Sequence, residues 1–194
     1  MKLLSIRPSK YEGLYIYTVE HDGKRERYTL PDRIYEELGC PAVGASLCED
    51  TYEALKSASA ARDALAAALR TLAYGDRSRR ELIDKLVHKG YARSLATETA
   101  EEAVRLGYIN EERQLLNLIP YLANQKLYGA RRIIPHLVNK GYHSSQIRAI
   151  LSRLVEKGEI DFKESFNRLL EKTKTDPTDR EARRALAYRY GFSS

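Results

Sequence analysis

Arg132, His136 and Lys140 stand four residues apart. On a helix they therefore share one face, which Arg131 flanks. Guanidinium forks and an ammonium group on a common face grip anions, phosphate above all. Arg79, Arg80 and Lys89 occupy a matching stretch upstream, and Arg180, Arg183, Arg184 and Arg189 a third stretch downstream. Residues 113–155 contain no Asp or Glu but hold Arg113, Lys126, Arg131, Arg132, Lys140, Arg148 and Arg153, with His136 and His143. A merely solubilising face mixes signs. An acid-free basic segment points instead to a polyanion or an acidic protein surface.

Covalent chemistry finds no such support. The chain carries no phosphate-binding G-x-x-x-x-G-K-[ST] loop, no G-x-G-x-x-G, no H-E-x-x-H and no G-x-S-x-G. Its four histidines, His21, His88, His136 and His143, form no metal-ligand pair. Cys40 and Cys48 have neither redox nor zinc-knuckle spacing and read as reduced structural thiols. We expect no enzyme, no metal and no cofactor.

The 194 residues suffice for one or two domains with a real core. Net charge is +6 but uneven. Residues 1–60 hold 8 basic against 10 acidic side chains, and residues 61–194 hold 25 against 17. The apolar start, Met1 to Ile6, is too short for a signal peptide and ends at Arg7, so a cytoplasmic location without membrane contact is expected.

The elements that must position these cations are repeated. Lys85-Leu86-Val87-His88-Lys89-Gly90-Tyr91 returns 51 positions later as His136-Leu137-Val138-Asn139-Lys140-Gly141-Tyr142. Gly107-Tyr108-Ile109-Asn110 returns at the same offset as Gly158-Glu159-Ile160-Asp161. Two markers in one register indicate stacked helical units. Within unit one, Ser78 and Glu81 form a capping box, and Leu82, Ile83, Leu86 and Val87 an apolar stripe. Gly90 supplies the left-handed stop and Tyr91 folds back on it. Ser94 is expected to cap a third helix that ends at Gly107.

Unit two opens with a helix over 111–126. Gly129 replaces Ser78, and Pro135 predicts a kink or a late start in the helix that follows. The third helix starts at Ser144 or Ser145. Unit three begins at Asp161, with Phe162, Phe166, Leu169 and Leu170 as its stripe, and closes its second helix at Gly191-Phe192. Tyr91 and Tyr142 read as packing residues, whereas Tyr121 and Tyr128 are candidates for base stacking.

Ahead of the units, Leu14 to Glu20 and Arg25 to Leu30 form a hairpin about Asp22-Gly23, with Lys2 to Arg7 as a possible third strand. A short helix runs from Pro31 or Asp32 to Leu38. A long helical pattern from Glu49 or Asp50 reads as one helix or as two meeting near Ser59. The expected fold is mainly α. A β-containing extension with its linker helix spans residues 1–60. Repeats follow at 61–109 and 110–160, and an incomplete third at 161–194.

The run Ser78-Arg79-Arg80-Glu81-Leu82 to Lys89-Gly90-Tyr91, then Gly107-Tyr108-Ile109-Asn110-Glu111, resembles the RecX family, bacterial regulators of the RecA recombinase. The second copy, Tyr128-Gly129-Ala130-Arg131-Arg132-Ile133 through Lys140-Gly141-Tyr142, supports this, and the likeness covers residues 61–194. It implies three tandem three-helix units in a curved, elongated, monomeric body. It also implies binding to the RecA–DNA filament, over single- and double-stranded DNA, with restraint of strand exchange and ATP turnover in recombination, DNA repair and the SOS response. Pro135, and Asn110 where an acid is common, depart from the family pattern. Contact residues are expected to be Arg79, Arg80, Lys89, Arg131, Arg132, His136, Lys140, Arg148, Arg153, Arg183 and Arg184. The residues alone leave open a stand-alone DNA-binding protein with helix-turn-helix-like units, or a helical scaffold for an acidic partner.

Overall fold

The structure, a computed structural model, describes residues 1–193. Three antiparallel strands open the chain: β1 (Lys2–Pro8), β2 (Leu14–His21) and β3 (Lys24–Pro31), in the order β1-β2-β3. Asp22-Gly23 makes the tight β2–β3 turn, as its sequence demands. One sheet face buries Leu3, Tyr17, Val19 and Leu30 against α1 (Asp32–Glu37) and the first half of α2 (Glu49–Leu72).

α2 settles the question left by the sequence. It is one helix of 24 residues, with neither Gly nor Pro to break it. Tyr52 and Leu55 belong to the sheet's core, while Ala67 and Ala68 belong to that of unit one. Ser59 lies between them, buried, its hydroxyl accepting the Thr29 N–H at 3.1 Å. The expected boundary between residues 60 and 61 thus falls inside a continuous helix.

Unit one continues with α3 (Arg79–His88) and α4 (Arg93–Arg105). The Ser78–Glu81 capping box is present in full. Ser94 does not cap α4. That helix begins at Arg93 with Ala92 at its N-cap and no side-chain cap, which turns Ala96, Ala100 and Ala103 into the core. Three alanines let α3 and α4 approach closely.

Unit two holds α5 (Glu111–Pro120), α6 (Ala130–Asn139) and α7 (Ser144–Glu156), over a core that includes Leu115, Ile119, Ile133, Leu137, Ile147 and Leu154. Here the structure corrects two expectations. The helix from Glu111 does not run unchanged to Lys126, because after Pro120 the chain takes a π-helical turn, Tyr121–Gln125. Pro120 offers no N–H to the turn behind it, and the loosened backbone closes through Lys126 N–H to Tyr121 O at 3.1 Å. Of the two outcomes expected at Pro135, a kink or a late start, the late start does not occur, since α6 starts at Ala130 and carries Pro135 in its interior. Pro135 leaves the Arg131 carbonyl without its intrahelical donor.

Unit three consists of α8 (Phe162–Thr173) and α9 (Arg180–Tyr190), capped by Asp161 and Asp179. Leu169, Leu170, Leu186, Ala187 and Phe192 form its core together with Leu127 from the end of the π-helical segment. Each fully buried leucine contributes about 1.5–3 kcal/mol.

Candidate nucleic-acid interface

The three second helices, α3, α6 and α9, carry the candidate cations, and they meet end to end. The N-terminus of α3 abuts the C-terminal cap of α6. Ser78 Oγ accepts the Glu81 N–H at 3.1 Å and donates to the Lys140 carbonyl at 2.5 Å. A Cβ on Gly141 would lie 2.6 Å from Arg80 Cβ and 2.7 Å from Ser78 Oγ. The N-terminus of α6 meets the cap of α9 in the same way. Gly129 N–H donates to Tyr190 O at 2.8 Å, and Arg131 N–H to Gly191 O at 3.0 Å. A side chain on Gly129 would occupy the space of the Gly191 carbonyl.

This junction explains why glycine replaces serine at the start of α6. Helix starts leave backbone donors unpaired and helix ends leave acceptors. Here the two deficits cancel across consecutive units. The helix ends that meet also carry opposite partial charges.

Each junction opens into a cavity. Junction one, about 370 Å³, includes Arg79, Arg80, Glu111, Tyr142 and His143 in its lining. Junction two, about 400 Å³, includes Arg131, Arg132, Pro135, Tyr188 and Arg189. The cations thus gather at the junctions rather than along each helix. Lys89 lies at the opposite end of α3 from Arg79 and Arg80 and donates to Thr71 Oγ1 at 2.9 Å. Lys140 lies at the far end of α6 from Arg131 and Arg132, but its backbone is joined to junction one.

The arginines differ in how much of their capacity is already engaged. Arg132 is half-buried. Its guanidinium lies 4.1 Å from the Tyr128 ring centroid and 5.3 Å from that of Tyr190, and it donates to Arg189 O at 3.0 Å. It ties unit two to unit three, and it occupies the Tyr128 face that base stacking would need. Arg79 pairs with Glu101 at 3.7 Å, and Glu111 accepts the Arg79 backbone N–H at 2.8 Å. Arg153 pairs with Glu112 at 3.2 Å, and Arg148 donates to Ser144 Oγ at 3.4 Å. Arg183 donates to Pro177 O at 3.0 Å. Arg131, Arg184 and Arg189 are exposed, with no carboxylate within 4 Å among the described residues.

His136 lies edge-on to Tyr128, with ring centroids 6.3 Å apart. Burial, then the Lys140 and Arg132 charges, holds its imidazole below the ordinary histidine value. Tyr142 is buried and its hydroxyl donates to Gln114 Oε1 at 2.9 Å. Burial, with Glu81 and Glu111 nearby, pushes that phenol up to about 12, so it remains a donor. Tyr142 is therefore a packing residue, as its place after Gly141 implied.

Sequence reasoning passed over Tyr188, which is 88% exposed at the rim of junction two. The available signal was its position off the Leu186–Ala187–Tyr190 stripe. Tyr121 stays exposed, with Lys126 Nζ 5.5 Å from its ring centroid. Among the described residues no cluster of three His, Cys, Asp or Glu side chains could hold a metal, and no helix is long and apolar enough to cross a membrane.

End-to-end helix junctions, repeated at a near-constant offset, define a tandem three-helix-repeat protein preceded by a small antiparallel sheet. Residues 64–104, which comprise the last nine residues of α2, all of α3 and most of α4, match the family model described as RecX, first three-helix domain. The resemblance to the RecX family drawn from the sequence is borne out. The fold is similar to that of a crystal structure of regulatory protein RecX, with a TM-score of 0.75 at 20% identity, over 100% of this chain and 95% of that one. A crystal structure of RecX from Lactobacillus salivarius aligns with 68% of this chain and 97% of its own, at 16% identity and a TM-score of 0.47. No curated protein matches the sequence.

Proposed function

We propose that this chain is a cytoplasmic, monomeric, non-catalytic modulator of a RecA-type recombinase. It binds the recombinase–DNA filament through its two helix junctions and inhibits strand exchange and ATP turnover in recombination and repair. The observation that carries this reading is the convergence of Arg131 and Arg189 at junction two, where unit three meets the acid-free stretch 113–155 of unit two. Matching of residues 64–104 to the first RecX domain supports the choice of partner. The architecture supports a repeated contact, because the junctions offer cations at a regular interval to a polymer with a regular charge spacing.

The residues to test are Arg131, Arg189 and Lys140, then Arg79, Arg80 and Arg184. Arg132 is assigned to the unit two–unit three joint rather than to the ligand. A gel shift on DNA with and without RecA, paired with a strand-exchange assay, tests the proposal. A supershift of the filament and slowed exchange are expected, both lost on joint charge reversal of Arg131, Lys140 and Arg189. Discrete-site binding without RecA would favour a stand-alone DNA-binding protein. Inhibition that survives the reversal would refute the assignment of the surface. If about six phosphates are neutralised, affinity for bare DNA falls by roughly a thousandfold between 50 and 200 mM salt.

A further inference from the structure

The outer face of the N-terminal sheet carries arginines for which the repeat architecture has no use. Strand register puts Arg7 opposite Ile16, Ser5 and Arg27 opposite Thr18, and Arg25 opposite Glu20. These side chains point away from the face that buries Leu3, Tyr17, Val19 and Leu30. They surround a cavity of about 580 Å³, which includes Arg7, Arg25, Arg27, Ser5, Thr18 and Ile16 in its lining. None of the three arginines has a carboxylate within 4 Å among the described residues. Glu20 is the one acid on this face of the strands, against Lys2 and the three arginines. The block as a whole is acidic by two charges, so this concentration of cations is local.

We propose that this sheet face is a second nucleic-acid contact, taking a segment of single strand. Arg25 and Arg27 stand two residues apart on β3, about 7 Å along the strand. Arg7 stands across β2 on β1, two residues out of row with Arg27 and about 12 Å from it by strand spacing. Guanidinium groups thus rise on both banks of a floor made by Ile16 and the hydroxyls of Ser5 and Thr18. Phosphates suit the banks and the flat, partly apolar faces of bases suit the floor. Tyr11, 56% exposed in the β1–β2 turn beyond Arg7, offers a ring at the edge, and Lys10 lies 5.0 Å from its centroid. An acidic polypeptide would use the cations but not the flat floor. The inference concerns bare nucleic acid, so it stands or falls separately from the choice of recombinase.

Anisotropy of a dye-labelled oligothymidylate, titrated with the full chain across a salt series, tests it. Each phosphate released contributes about 0.7 to the log–log salt slope for single strands. The R7Q/R25Q/R27Q variant is expected to have a slope shallower by about 2, so wild type loses about 16-fold more affinity than the variant between 50 and 200 mM salt. The R7K/R25K/R27K variant keeps the wild-type slope, which separates lost charge from lost fold. R131Q/R189Q lowers the slope independently, and combining it with the sheet variant adds the two losses. A wild-type slope in the glutamine variant overturns the proposal. So does an equal loss against a labelled polyglutamate probe.

Discussion

Junctions one and two share a backbone plan and differ in charge. In both, the start of one unit's second helix sits on the glycine cap of the next unit's. Junction one presents Arg79 and Arg80 beside Glu101 and Glu111. Junction two presents Arg131, Arg132 and Arg189 with no acid in its lining. The shared plan shows what the fold requires. The difference favours junction two as the anion site we propose, because its lining holds no acid, whereas at junction one Arg79 pairs with Glu101 and Glu111 lines the cavity. A third copy of the cap, Gly90, completes the comparison, since nothing lies within 4 Å of the side chain it lacks.

The sharpest way to break the comparison is to fill these caps. Gly90 and Gly141 have nearly the same left-handed φ, 96° and 95°. Alanine at either meets a backbone penalty of about 1–2 kcal/mol. Only Gly141→Ala also drives a methyl into Arg80 and Ser78, adding about 1–3 kcal/mol of overpacking. Denaturant unfolding of both variants should show the larger loss at Gly141, and equal losses would mean the junction yields freely. Gly129→Ala isolates the packing term, because Gly129 has an ordinary φ of −77°. A loss of about 1–3 kcal/mol is expected there. Ser78→Ala probes the matching position of junction one, where a missing cap costs about 1–2 kcal/mol.

Charge sharpens the comparison further. R131Q/R189Q should lower the salt slope of duplex binding by about 2, from a loss of about 0.9 per phosphate. R79Q/R80Q should lower it less, because Arg79 already pairs with Glu101 and Glu111 lines that cavity. A reversed order would place the main contact at junction one.

The smallest effect concerns His136. Its folded value is depressed, so its contribution to stability is fully present above the ordinary 6.5 and declines as pH falls toward the folded value. A bound polyanion reverses that pressure and raises the histidine, so affinity should strengthen as pH drops. An NMR titration of His136 with and without oligonucleotide reads both signs, and no upward move on binding would remove this face from the contact.

Local rules made much of this legible. The Ser78–Glu81 box, the Gly90 and Gly141 stops, the Asp22-Gly23 turn and the stripes all follow from near neighbours in sequence. The junctions did not, because end-to-end docking joins residues about 60 apart, such as Ser78 and Lys140. Gly129 could be read as a weak cap, and only the facing Gly191 shows why a side chain is excluded. Arg132 illustrates the same limit for function. Its place in a basic run suggested a ligand contact, whereas Tyr128, Tyr190 and the Arg189 carbonyl claim its guanidinium. Pro120 did carry its signal in the sequence, and the rule that stops an ordinary helix at proline accounts for the π-helical turn that follows.

The long α2 has a consequence of its own. Its 24 residues make a rod of about 36 Å, with the sheet fixed to one end and the first repeat to the other. Such a rod is a ruler with an angular scale. One residue inserted near Arg62 would advance the sheet by about 1.5 Å and swing it about 100° around the rod, whereas four would leave it only about 40° from its original bearing. Helix phase, more than any contact between the two ends, therefore sets which way the sheet faces.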